Sequence, residues 1–170
     1  MYTVRRETIG LGDAGTAVTV SRMRALIREG GADPMVRLLA QRIVAGVDGR
    51  DTARQAGVIR SWLKANFRFL RDPQNVELLH TPEYLLRMLV REGYIQGDCD
   101  DVAILGGALG EAIGLKAKIV TVGFDGPTGP FAHVWVELTG PGLGRWVELD
   151  TTRSRPDLAS MIQRRKDTIV

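Results

Sequence analysis

Apolar residues in the first part of the chain recur at helical spacing. Ser21 can cap a helix over RMRALIRE, with Gly30 and Gly31 as its stop. Asp33-Pro34 supplies a cap and a first-turn proline ahead of Met35, Leu39, Ile43 and Val47, four residues apart. Asp51 or Thr52 opens a third helix in which Ala56, Ile59, Leu63 and Phe67 share a face. Asp72-Pro73 breaks the pattern, and Thr81-Pro82 restarts it for EYLLRMLVRE, ended by Gly93. The segment from Cys99 to Ile113 is apolar almost all round after its first turn, the pattern of a helix buried on most sides. Gly106, Gly107 and Gly110 lower its helix propensity and predict close packing against a sheet.

After Gly114 the period changes to two. KAKIVTVG, FAHVWVEL and GRWVELD read as strands, joined by the glycine- and proline-rich turns DGPTGP and TGPGLG. Helices followed by an antiparallel sheet make an α+β domain. In the second strand Ala132, Val134, Val136 and Leu138 point one way, and Phe131, His133, Trp135 and Glu137 the other. In the third, Trp146, Glu148 and Asp150 oppose Val147 and Leu149. Residues after Asp150 read as an extension that closes over the sheet or extends from it.

At 170 residues and 18.7 kDa the chain is expected to form a single compact domain. Its 44% hydrophobic and 25% charged residues exclude whole-chain disorder, collagen and coiled coil. One cysteine cannot form an internal disulfide, and neither an export signal nor a membrane-spanning apolar run is visible, so a cytoplasmic setting is expected. The net charge of +3 is slight, and the basic residues are spread apart from Arg153, Arg155 and the run Arg164, Arg165, Lys166. A nucleic-acid binder would show a basic stripe with aromatic residues to stack on bases, so neither nucleic acid nor membrane is expected as a partner.

Candidate chemistry gathers at three residues. Cys99 falls in the first turn of the buried helix, after Gly97 for a sharp turn and Asp98 as cap. The positive end of the helix dipole and a nearby imidazolium would lower its pKa. A cysteine nucleophile needs a base, and the base needs a carboxylate to fix its tautomer. Neighbouring strands can offer His133 and Asp150 for these roles on one surface. The Cys99 backbone N–H is one oxyanion donor, and Gln96, read as a loop amide three residues earlier, is a candidate for a second.

Other readings compete. Asp98, Asp100 and Asp101 could be oxygen ligands, but a calcium loop beginning at Asp98 would lack its sixth-position glycine and place Leu109 where a glutamate belongs. Capping explains first-turn acids, so no metal or other cofactor is expected. The same acids oppose a thiolate, unless Asp100 and Asp101 diverge from the sulfur at about 100° per residue. His80 lacks a visible partner and reads as a surface or structural histidine. Glu137 and Glu148 share the faces of His133 and Asp150 and could replace Asp150 as orienter. Trp62, Trp135 and Trp146 read as core or cleft residues.

GDCDD opening a buried helix, then HVWVE, then RWVELD, resembles the transglutaminase-like superfamily over about residues 52–152. The upstream stretch NFRFLRDPQNVELLHTPEYLL is similar to bacteriophage and prophage variants of it. The resemblance implies a papain-like α+β fold with Cys99 as nucleophile, His133 as base and Asp150 as orienting carboxylate. Relatives often have proline where Thr151 stands and an aromatic hydroxyl where Phe69 stands. The implied organisation is a core over 51–152 between a helical extension over 1–50 and a C-terminal extension over 153–170. The implied activity is a cysteine hydrolase, a peptidase or amidase working on a protein or peptide through a thioester. The alternatives are a non-catalytic binding or assembly module among phage structural proteins, virion-associated in that case, and an amine-transferring transamidase.

Overall fold

The computed structural model describes residues 10, 12–73, 76–152 and 158–170. Helices α1 (Gly12–Ala32), α2 (Pro34–Ile43) and α3 (Thr52–Asn66) lead into a short strand β1 (Phe67–Phe69). Helix α4 (Pro82–Glu92), strand β2 (Ile95–Gly97) and helix α5 (Cys99–Ala112) follow. Strands β3 (Lys116–Gly123), β4 (His133–Thr139) and β5 (Val147–Glu148), a short helix α6 (Leu158–Met161) and strand β6 (Arg164–Ile169) complete the order. The architecture is the α+β arrangement expected, with α5 central between the other helices and an antiparallel sheet in the order β5-β4-β3-β6.

The caps read from the sequence are in place at four starts. Asp33 accepts from the Met35 and Val36 N–H groups, Asp51 from Arg54, Thr81 from Tyr84 and Asp98 from Asp100. Gly93 closes α4 in the left-handed conformation, φ 79°. The start and stop read for the first helix are corrected: α1 begins at Gly12, Ser21 lies inside it, and Gly30 and Gly31 lie in its last turn. These glycines are contact points. A Cβ on Gly30 would stand 2.4 Å from Pro82 Cγ, and one on Gly31 2.8 Å from Glu111 Cβ. The second helix stops at Ile43, one turn before Val47, and Phe67 leaves the helical face to begin β1.

Helix α5 is where packing dominates. Val102 through Leu109 are almost wholly buried, and Ile27, Ile59, Leu63, Leu85, Val136, Leu138 and Leu149 belong to the same core. Gly106 faces Leu63, Val136 and Leu149, and Gly110 faces Leu138, so both allow the close approach to the sheet that the sequence predicts. Gly107 instead admits Ile27 of α1.

In the sheet, Glu137 pairs with Glu148 and Leu138 with Val147, and the Leu149 N–H continues the ladder to Val136 O. Val134, Val136, Leu138 and Leu149 enter the helix-facing core, as the alternation predicts. The opposite face carries Val120, Val122 and Trp135, with Phe124 and Ile162 packed against them. The basic run at Arg164 is an edge strand, β6, paired antiparallel to β3 from Lys118↔Ile169 to Gly123↔Arg164. RRKDTI has no alternating apolar pattern, so its signal is electrostatic. Lys118 Nζ lies 2.8 Å from Glu137 and 2.9 Å from Asp167, while Arg165 bridges the same two acids at 3.0 and 2.7 Å. Arg153 and Arg155, the other basic residues noted near the C-terminus, lie outside the described residues. No helix among the described residues is long and apolar enough to cross a membrane.

Candidate active site

Antiparallel pairing of β4 with the chain running through β5 puts His133 and Asp150 side by side. His133 Nε2 lies 2.7 Å from Asp150 Oδ2, and the Asp150 side chain is 1% exposed. The second oxygen, Oδ1, accepts from the Thr152 N–H at 2.9 Å and its hydroxyl at 3.0 Å. Arg60 Nε of α3 donates to the Asp150 carbonyl at 3.3 Å, tying the strand end to the helical layer. Burial pushes the Asp150 carboxyl up, but the His133 hydrogen bond and charge, with the Thr152 bonds, outweigh it and hold the group below its ordinary value. An ionised carboxylate only accepts, so Nε2 carries the proton and Nδ1 is left as the basic nitrogen.

Cys99 begins α5 directly after the Asp98 cap, and its thiol is half-buried. The backbone N–H of Val134, the residue after His133, is among the groups that lower the thiol's pKa, which sets the thiol near the start of β4. Its electrostatics reverse the expectation of an activated thiolate. Burial pushes the thiol far above its ordinary pKa, and the charges of Asp100 and Asp98 push it further. The divergence proposed for the two following acids holds for one of them. Asp100 Oδ1 lies 3.8 Å from the sulfur, whereas Asp101 turns away to His80.

The acids are themselves perturbed. Asp98 is pushed up to about 6, chiefly by burial, opposed by the Asp100 N–H and reinforced by Asp72, Asp101 and Glu77. Asp100 is raised well above the carboxylate range, again by burial first and then by a hydrogen bond to Glu77. Among the described residues, donor atoms of Asp98, Cys99 and Asp100 lie within 4.8 Å of one another and form a set that could face a cation. Asp98 already accepts from the Asp100 N–H and Asp100 is bonded to Glu77, and burial favours the protonated form of all three, which is the wrong form for ligation.

His80 has a partner that the sequence did not reveal. Its Nδ1 lies 2.9 Å from Asp101 Oδ2, its backbone N–H donates to Asp101 Oδ1 at 3.0 Å, and its ring stacks on Tyr84 with centroids 4.9 Å apart. Gln96 is in strand β2, paired with Arg68, and not in a loop. Among the residues competing with Asp150, Glu137 is held by Lys118 and Arg165, and Glu148 pairs with it across the sheet. Phe69 is 56% exposed at the end of β1. Thr152 escaped the sequence reading because its hydrogen bonds form only when the strand end turns.

The family model of the transglutaminase-like superfamily matches residues 37–151. Among solved structures, a proposed cysteine protease from Cytophaga hutchinsonii aligns with a TM-score of 0.55 at 20% identity, over 80% of this chain and 46% of that one. A proposed protease from Parabacteroides distasonis aligns at 0.59 and 14% identity, over 82% of this chain and 26% of that one. The chain thus spans under half the length of the structures it resembles. No curated protein matches the sequence.

Proposed function

The chain belongs to the transglutaminase-like superfamily, and on that premise we propose that it is a cysteine-dependent acyl-transfer hydrolase acting on an amide carbonyl of a peptide or protein. The observation that carries this reading is the His133 to Asp150 bond at 2.7 Å, next to a strand residue, Val134, whose N–H lowers the pKa of the Cys99 thiol. In the proposed reaction the thiol is protonated at rest. As Sγ attacks the carbonyl carbon, its proton passes to His133 Nδ1, and Asp150 stabilises the imidazolium that forms. The Cys99 N–H at the start of α5 meets the oxyanion. Collapse breaks the C–N bond, the amine leaves with the proton from His133, and a thioester remains. Water, deprotonated by the same imidazole, adds to the thioester and releases acid and thiol.

Hydrolysis is preferred to transamidation because water is present at tens of molar, so net amine transfer needs a site that holds an amine and excludes water. The connections after β3 and β4, residues 124–132 and 140–146, carry no helix or strand of their own and offer little material for such a tunnel. The test supplies a peptide amide with a millimolar primary amine and follows both products by mass spectrometry. Free acid is expected to dominate, and a predominant amine adduct would make the protein a transamidase.

One observation favours a second reading, a non-catalytic binding or assembly module such as a phage structural component: the thiol is raised by burial and by Asp100 and Asp98. Absence of any product, with the fold intact, would establish that reading over the first.

A further inference from the structure

Outside the proposed triad, a second histidine and carboxylate meet at the same helix start. Asp101 is 0% exposed, and both of its oxygens are taken by His80, one by the backbone N–H at 3.0 Å and one by Nδ1 at 2.9 Å. The ring is held in turn by stacking on Tyr84, within 11° of parallel, and Thr81 next to it caps α4. Behind the carboxylate there is no space: a Cβ on Gly97 would stand 2.3 Å from Asp101 Oδ2. The Gly97 carbonyl accepts from the Leu70 N–H at 2.7 Å, and Gly97 leads straight to Asp98 and Cys99.

We propose that His80 is a positioning residue, which through Asp101 fixes the turn Gly97–Asp98–Cys99 and so aims the Cys99 backbone N–H at the oxyanion; this rests on the reading of Cys99 as the nucleophile. A buried carboxylate that loses its paired donor cannot stay where it is without cost. It cannot move toward Gly97 either, so any relaxation displaces the turn that carries the cysteine. A misplacement of about 1 Å can cost about 100-fold in a positioned reaction. A thiol alkylation that develops no oxyanion is far less sensitive to such a shift.

The difference between these two reactions is the test. Purified wild type, His80→Ala and His80→Asn are compared in p-nitrophenyl acetate acylation of Cys99, iodoacetamide alkylation of Cys99, and melting temperature, with Cys99→Ala as background. The expected result for His80→Ala is a tenfold or greater loss of acylation with alkylation changed less than threefold. His80→Asn, whose amide N–H can donate to Asp101 in place of Nδ1–H, should recover acylation to within threefold of wild type. Parallel changes in acylation and alkylation, or no rescue by asparagine in a folded protein, would overturn the positioning role. Wild type acylating no faster than Cys99→Ala would overturn the nucleophile reading and this inference with it.

Discussion

Asp150 holds His133 at 2.7 Å with one oxygen while Thr152 holds the other oxygen through two bonds. The carboxylate is thus immobilised on both sides and ionised below the ordinary carboxylate pKa. This fixes the imidazole with its proton on Nε2. Asp150→Asn can present its amide N–H to the ring and favour the wrong tautomer, so acylation of Cys99 should fall by about 100-fold or more. A stopped-flow comparison of acylation rates at equal folded fraction checks it. Thr152→Val should lose less, since only the hydroxyl bond disappears.

The acids around Cys99 predict an inverted effect of neutralisation. Asp100 lies 3.8 Å from the sulfur and contributes to raising its pKa. Burial holds Asp100 itself toward its neutral form, whereas Asp98, pushed up to about 6, is largely ionised at pH 7 and also raises the thiol. Asp98→Asn removes the opposing charge, so iodoacetamide should alkylate Cys99 faster at pH 7, by about tenfold for each pKa unit recovered. A rate unchanged or lowered in a variant with unaltered melting behaviour would mean the acid does not act on the thiol.

Stability against pH has a definite sign at Asp98. Its folded pKa, about 6, is above the ordinary value of 3.8, so the folded state binds the proton more tightly than the unfolded chain. The resulting stabilisation is complete below the unfolded pKa and is lost as pH rises through about 6. Asp150 acts oppositely: its depressed folded pKa contributes stability above the unfolded value that is lost as pH falls through the folded one. Denaturant midpoints should therefore fall between pH 5 and pH 7 in wild type. Asp98→Asn, which keeps a capping side chain, should flatten that slope.

The packing of α5 predicts the cost of filling its glycine contacts. A Cβ on Gly110 would lie 2.5 and 2.7 Å from the two methyl carbons of Leu138, a residue fully buried in the core. Gly110→Ala should lower stability by about 1–3 kcal/mol through overpacking, partly offset by better helix propensity. Chemical denaturation measures the balance. An increase in stability would show that Leu138 has room to turn aside.

Much of this arrangement is legible in the sequence because it is written in local rules. The caps at Asp33, Asp51, Thr81 and Asp98 depend on short-range bonds, and the face shared by Val134, Val136 and Leu138 depends on a period of two. The same period places His133 and Asp150 on one surface. The rest depends on long-range partners. Gly30 and Gly31 look like a helix stop until Pro82 and Glu111 are seen against them. Strand β6 has no apolar alternation, and only Lys118, buried between Glu137 and Asp167, explains why its charges belong in a sheet. His80 finds Asp101 21 residues away, across a turn and a helix. The raised pKa of Cys99 follows from burial and from the direction of Asp100, neither of which helical spacing alone decides.

The most direct measurement of the central claim is intact-protein and peptide mass spectrometry after brief exposure to p-nitrophenyl acetate, with wild type and His133→Ala compared over time. If Sγ of Cys99 attacks as His133 takes its proton, wild type accumulates an acetyl thioester on Cys99, and His133→Ala forms it about 100-fold or more slowly, within the usual range of a positioned general base. Acetylation of Cys99 at equal rates in the two proteins, or no acetylation of Cys99 in folded wild type, would contradict the account.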